Sequence, residues 1–212
     1  MDLDTSKNLG GVGALLLVIA GIGIFGTPYV AVLGLIGIII VLIALKGMSD
    51  HYKEAGIFNN ALYSIIIVII GGVAFVGSII ASIFVFVSTL PGWAKTFVDN
   101  GDWTGLATEF QNHLTDLSGI WTLLGAIILA LVVLFIFAIV AMVFFRKSLS
   151  LLSAKSGVGL FGTTGLIMLI GAVLTIIGIG FLLIWIGCIL LTIAFFSVKT
   201  QAATQPMPPP PP

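Results

Sequence analysis

The chain has 212 residues, of which 59% are hydrophobic and 8% charged, with a formal net charge of zero at pH 7. A soluble domain carries about 25% charged residues, so this chain has too few to coat a water-exposed surface. Nor is there a basic excess to meet nucleic acid.

What remains are long uncharged apolar runs, which read as membrane spans. The first, Leu9 to Phe25, is followed by the turn signal Gly26-Thr27-Pro28, and the second, Tyr29 to Leu45, stops at Lys46. A polar loop, Gly47 to Gly56, carries Asp50, His51, Lys53 and Glu54. A third run reaches Val87, and a fourth extends from Ile120 to Phe145. After the basic loop Arg146 to Ser156, the stretch Val158 to Val198 is too long for one helix, and Gly178-Ile179-Gly180 is the place to fold it. The expected fold is all-α, with six spans at about 9–26, 29–45, 60–88, 120–145, 158–177 and 181–198, paired as three hairpins. Residues 1–199 form one transmembrane domain, and 200–212 a disordered proline-rich tail.

Orientation follows from Lys and Arg, whose excess stays on the cytoplasmic side. With six spans, Lys7, Lys46, Lys53, Arg146, Lys147, Lys155 and Lys199 share one side and Lys95 alone takes the other. Both termini are therefore expected in the cytoplasm of a cell membrane. The three hairpins begin and end alike, with Lys-Gly openings and closings such as Ala44-Leu45-Lys46-Gly47 and Phe144-Phe145-Arg146-Lys147, so a parallel internal repeat is one reading. Ordinary membrane-hairpin punctuation is the other.

Glycine, at 26 residues, exceeds its usual share of about 7%. In lipid, helices associate by close backbone approach at small residues. Ala74, Ser78 and Ser82 recur every four residues on the third span, with Gly77 and Ala81 alongside, and are the candidate packing face. A weak polar pore lining is the competing reading.

No span contains Asp, Glu, Lys, Arg or His, which argues against a proton pump, an ion-coupled transporter built on buried charge, or an intramembrane metalloprotease. His51 and His113 fall on opposite sides and share no metal. Cys188, the sole cysteine, reads as a small hydrophobe. Gly21-Ile22-Gly23-Ile24-Phe25-Gly26 and Gly157-Val158-Gly159-Leu160-Phe161-Gly162 match the glycines of a dinucleotide fingerprint but lack its acidic residue, and packing and turn formation explain them. No catalytic residue, cofactor or metal site is expected.

Between spans three and four, the insertion 91–119 repeats apolar residues at Trp103, Leu106, Phe110, Leu114 and Leu117, an amphipathic spacing. A helix lying on the outer leaflet, or a lid or docking surface centred on Trp103 and Phe110, follows from it. The tail runs Pro206-Met207 and then Pro208 to Pro212. Such a run favours polyproline II, and Pro206, Pro208 and Pro209 offer the spacing that aromatic-lined grooves recognise.

Lys7-Asn8-Leu9-Gly10-Gly11-Val12-Gly13, Leu42 to Tyr52 and Ile57-Phe58-Asn59-Asn60-Ala61 together resemble an archaeal membrane family, domain of unknown function 996. Arg146-Lys147-Ser148-Leu149 and Ala194-Phe195-Phe196-Ser197 extend the resemblance over nearly the whole chain before the tail. It implies a multi-pass membrane protein and no activity. The expected role is that of an accessory or scaffold protein, not an enzyme. It would work in the bilayer and meet a protein partner through its tail or helix faces, or a second copy of itself. The alternative is a passive pore or carrier for an uncharged or lipid-like solute, lined by Thr163, Thr164, Thr175 and Thr192.

Overall fold

The computed structural model describes residues 1–23, 30–89, 95, 99–101, 104, 108 and 118–199. The Gly26-Thr27-Pro28 turn, the amphipathic pattern with Trp103 and Phe110, His113, and the tail with Pro206, Pro208 and Pro209 lie outside them. Among the described residues the long elements are all helices, with no strand. They are α1 (Leu3–Gly23), α2 (Val30–His51), α3 (Ala55–Thr89), α4 (Ser118–Ser156), α5 (Leu160–Leu174) and α6 (Gly180–Phe196). One 3-10 turn, Thr175–Ile177, follows α5. Among the described residues five helices are long and apolar enough to cross a membrane, that of α5 counted together with its 3-10 turn; α6 is equally apolar but has 17 residues. The helices α3 and α4, at 35 and 39 residues, exceed the ~20 that a bilayer needs.

Local chemistry sets several helix ends. Asp2 caps α1, its carboxylate accepting the Leu3 N–H at 2.7 Å while its carbonyl takes the Ser6 N–H at 3.0 Å. Between α5 and α6 the chain turns at Gly178, whose φ of 82° is cheap only for glycine.

The chain divides into two compact units, with the boundaries falling inside α3 and α4. The first comprises Met1–Ile66 and Ile139–Pro212. Here α1 packs against α2 and α6, and α5 against α6. Glycine makes these approaches close. The position where Gly13 would carry a Cβ lies 2.9 Å from the Val41 backbone nitrogen, and that of Gly37 lies 2.8 Å from the Gly13 carbonyl oxygen. Gly10 and Gly11 receive the rings of Phe195 and Phe196, and Gly21 receives the indole of Trp185 at 2.5 Å. That indole donates its N–H to the Val18 carbonyl at 3.0 Å.

The core of this unit gathers toward the basic residues. Leu3, Leu45, Met48, Ile57, Leu149, Leu152, Phe161 and Phe195 are buried in one cluster, each a few positions from a lysine. Phe161 and Phe195 meet edge to face at 5.2 Å. Ser148, fully buried, donates to the Ile57 carbonyl at 2.5 Å and ties α4 to α3. At the opposite ends, Ile22, Leu35, Ile176 and Phe181 are exposed. Lipid explains the asymmetry. Hiding leucine from hydrocarbon gains little, whereas hiding it from water is worth about 25 cal/mol per Å². A dense apolar core belongs where water reaches the helix ends.

The second unit is Ile67–Ala138. It holds the remainder of α3 and α4, in contact where the Phe137 side chain fills the space beside Gly71, 2.6 Å from its Cβ position. Its surface is aliphatic: Val68, Ile69, Ile80, Ile128 and Leu129 are exposed.

Candidate functional site

Polar side chains converge at the corner between α2 and α3, in the first unit. The helix α2 ends in a Schellman cap: the Glu54 N–H reaches back to the Ser49 carbonyl at 3.0 Å. Ser49, buried, closes the bracket by donating its hydroxyl to the Glu54 carbonyl at 2.9 Å. Lys53 occupies the left-handed position of this cap at φ 52°, where glycine is the ordinary residue. Tyr52 packs against the core, and burial pushes its phenol above the usual tyrosine range.

Beside this cap lies a cavity of about 280 Å³, lined by Lys46, Ser49, Asp50, Lys53, Ala55, Phe58 and Asn59. Asp50 stands in the last turn of α2, where the carbonyl ends of the helix disfavour a carboxylate. Lys46, one turn earlier, pairs with it at 2.8 Å and holds its ammonium 5.2 Å from the centre of the Phe58 ring. Glu54 turns away, to Lys155 at 3.2 Å. His51 is exposed and stacks edge-on with Tyr52 at 5.0 Å. His51, Asp50 and Glu54, the polar cluster of this loop, thus take three different partners. Among the described residues no group of three His, Cys, Asp or Glu is placed to hold a metal.

The Gly157–Gly162 fingerprint follows a helix, α4, where a dinucleotide site needs a strand. Gly157 turns the chain at φ 72° and donates its N–H to the Ser153 carbonyl at 3.0 Å.

Hydroxyls in the helices mostly return to their own backbone. Ser78 donates to Ala74 at 2.7 Å and Ser82 to Ser78 at 2.6 Å. Ser82 is buried, Ala74 and Ser78 half-buried, and Gly77 and Ala81 exposed. Thr175 donates to Gly171 at 2.9 Å, Thr192 to Cys188 at 3.0 Å, and the exposed Thr163 to Gly159 at 3.4 Å. Thr164 differs: it is fully buried and its hydroxyl has no partner among the described residues. An unsatisfied buried hydroxyl costs about 1–3 kcal/mol. Thr164→Val is therefore expected to stabilise the protein by about 1 kcal/mol, read as a higher thermal midpoint in mild detergent. A lower midpoint would show that the hydroxyl is in use.

Among the described residues several helices are long and apolar enough to span a bilayer, and they define a helical membrane protein. The chain belongs to the family described as Protein of unknown function (DUF996), whose model matches residues 33–189. It is also similar to Uncharacterized protein MJ1644 of Methanocaldococcus jannaschii, at 26% identity over 206 residues, covering 97% of this chain and 98% of that protein. No solved structure matches it.

The cavity lining was only partly visible in the sequence. Asp50 and Lys53 stand out as loop charges, but Lys46 stands at the end of one apolar run and Phe58 at the start of the next, and their approach depends on the cap. The one usable signal is the spacing of Lys46 and Asp50, four apart on a helix.

Proposed function

We propose that this protein is an accessory or scaffold component of the cell membrane, with both termini cytoplasmic, that binds a transmembrane helix of a partner protein and catalyses no reaction. The observation that carries this reading is a set of glycines without an internal use. Gly72, Gly77 and Gly125 have no described atom within 4 Å of where a Cβ would stand. A glycine inside a helix costs about 1 kcal/mol relative to alanine. At Gly13, Gly37 and Gly71 that cost is offset by close packing within the chain. At Gly77, with the exposed Ala81 one turn on, the close approach is available to another helix. The hydroxyls of Thr163, Thr175 and Thr192, each satisfied on its own helix, support a packing role over a solute route. The amphipathic segment with Trp103 and Phe110 and the prolines Pro206, Pro208 and Pro209 would add contacts outside the bilayer.

The test is a gentle-detergent purification from native membranes with mass spectrometry, comparing the full chain, Gly77→Leu and a chain ending at Lys199. A stoichiometric partner is expected to accompany the full chain and to be lost with Gly77→Leu. The thermal midpoint of Gly77→Leu alone should hold or rise, because the added side chain meets open space and a better helix former replaces glycine. A protein that emerges alone and moves a neutral solute across liposomes would defeat the proposal.

A further inference from the structure

Lys53 is the one non-glycine residue with positive φ among the described residues. A β-carbon in this region clashes with the following carbonyl, and the penalty is about 1–2 kcal/mol. Glycine would make the same cap without it. Strain of this kind persists only where the surrounding structure holds it in place, and it clusters at functional sites.

The surroundings indicate what the ammonium meets. Three charges line the cavity, Lys46, Asp50 and Lys53, which leaves one positive charge in excess. Asp50 is occupied by Lys46, and the nearby Glu54 by Lys155. Lys53 has no such pair among the described residues. The first turn of α3 starts at Ala55, on the wall of the same cavity, and a helix start carries a partial positive charge, although its Ile57 N–H is already given to the Glu54 carbonyl at 3.1 Å. Lys46 spends one of its three donors on Asp50, and Asn59 contributes an amide. Phe58 supplies an apolar wall. These features suit a group with several anionic oxygens joined to a short carbon chain.

Position narrows the class further. The span of α2 runs Val32–His51 and that of α3 Ala55–Ser88, so the cavity opens where two spans end and headgroups lie. At about 280 Å³ it falls just below the range of small-ligand pockets, which begins near 300 Å³. It has room for a phosphate and the carbons next to it.

We propose that the α2–α3 corner binds the phosphate of an anionic membrane lipid through Lys53, Lys46 and the first turn of α3. The site stands independently of the partner-helix reading, since none of its residues is among the glycines that carry that reading.

The experiment uses the full chain in nanodiscs of equimolar phosphatidylglycerol and phosphatidylcholine, with retained lipid counted by native mass spectrometry after mild extraction. The wild type is expected to keep phosphatidylglycerol in preference to phosphatidylcholine. Lys53→Gly keeps the cap and removes the ammonium, and should lower that preference about tenfold, the worth of one charge-assisted hydrogen bond. Its thermal midpoint should not fall, which separates lost binding from lost folding. Lys53→Arg should retain the preference. An unchanged preference in Lys53→Gly overturns the proposal. Inorganic phosphate binding as tightly as phosphatidylglycerol, with no selection between the two lipids, overturns the lipid assignment as well.

Discussion

Replacing Gly180 with alanine is expected to be among the most damaging single changes in the chain, lowering stability by about 3 kcal/mol or more. A Cβ at this position would collide with the Gly171 carbonyl oxygen and the Thr175 backbone nitrogen, and would stand 2.6 Å from the Leu174 carbonyl carbon. All three are backbone atoms, so no rotamer change makes room. The obstruction also falls where α5, its 3-10 turn and α6 are joined within a few residues. The variant should lose its monodisperse peak in mild detergent well below the temperature at which the wild type does. A midpoint within a degree or two of wild type would mean that the α5–α6 corner is looser than its geometry.

Gly37→Leu should follow closely, at about 2–3 kcal/mol, the upper range for overpacking a tight contact. Its missing Cβ faces the Gly13 carbonyl oxygen at 2.8 Å and the Leu17 and Leu16 side chains at 3.1 and 3.2 Å. Inserting a leucine must push α1 away from α2. The informative comparison is with Gly77→Leu, the same substitution where no described atom lies within 4 Å. Thermal unfolding of the two variants side by side should show a loss for the first and none for the second. Equal losses would mean that Gly37 suffers only what any helix glycine suffers.

That pair also marks how far the sequence could be read. The membrane class is visible because charges are sparse and avoid the apolar runs, and the family because short loop motifs such as Leu45-Lys46-Gly47-Met48-Ser49 resemble it. The use of each small residue is a different matter. Gly21 and Gly77 look alike in the chain, each a glycine among aliphatic neighbours. One receives Trp185, 164 positions further on, and the other has no described neighbour within 4 Å. Partnership of this kind is a long-range property that no local pattern encodes. The same holds for Ser148, whose acceptor at Ile57 lies 91 positions away.

The candidate site fails to announce itself for a local reason. Left-handed caps are recognised in sequence by glycine or asparagine, and Lys53 is neither. Without the cap there is no reason to bring Lys46, Phe58 and Asn59 around one cavity. Thr164 and Thr175 are similarly indistinct as letters, yet the Thr175 hydroxyl is satisfied on Gly171 and that of Thr164 is sealed in without a partner among the described residues. Polar residues in apolar runs are easy to count. Their satisfaction has to be seen.

The bond from Trp185 to the Val18 carbonyl has a consequence for how the protein is made. Translation runs from the amino end, so α1 leaves the ribosome before the residue that completes its surface exists. Until Trp185 is synthesised, nothing fills the hollow that its indole occupies beside Gly21, and α2 is the main packing neighbour available to α1. Because α1 and α2 follow one another, that first pairing is available early, with the Gly13–Gly37 crossing to secure it. The closing step joins residues 167 positions apart. In nascent chains halted before residue 185, a cysteine introduced in α1 near Gly21 should therefore still react with thiol reagents, and it should become protected once α6 is released.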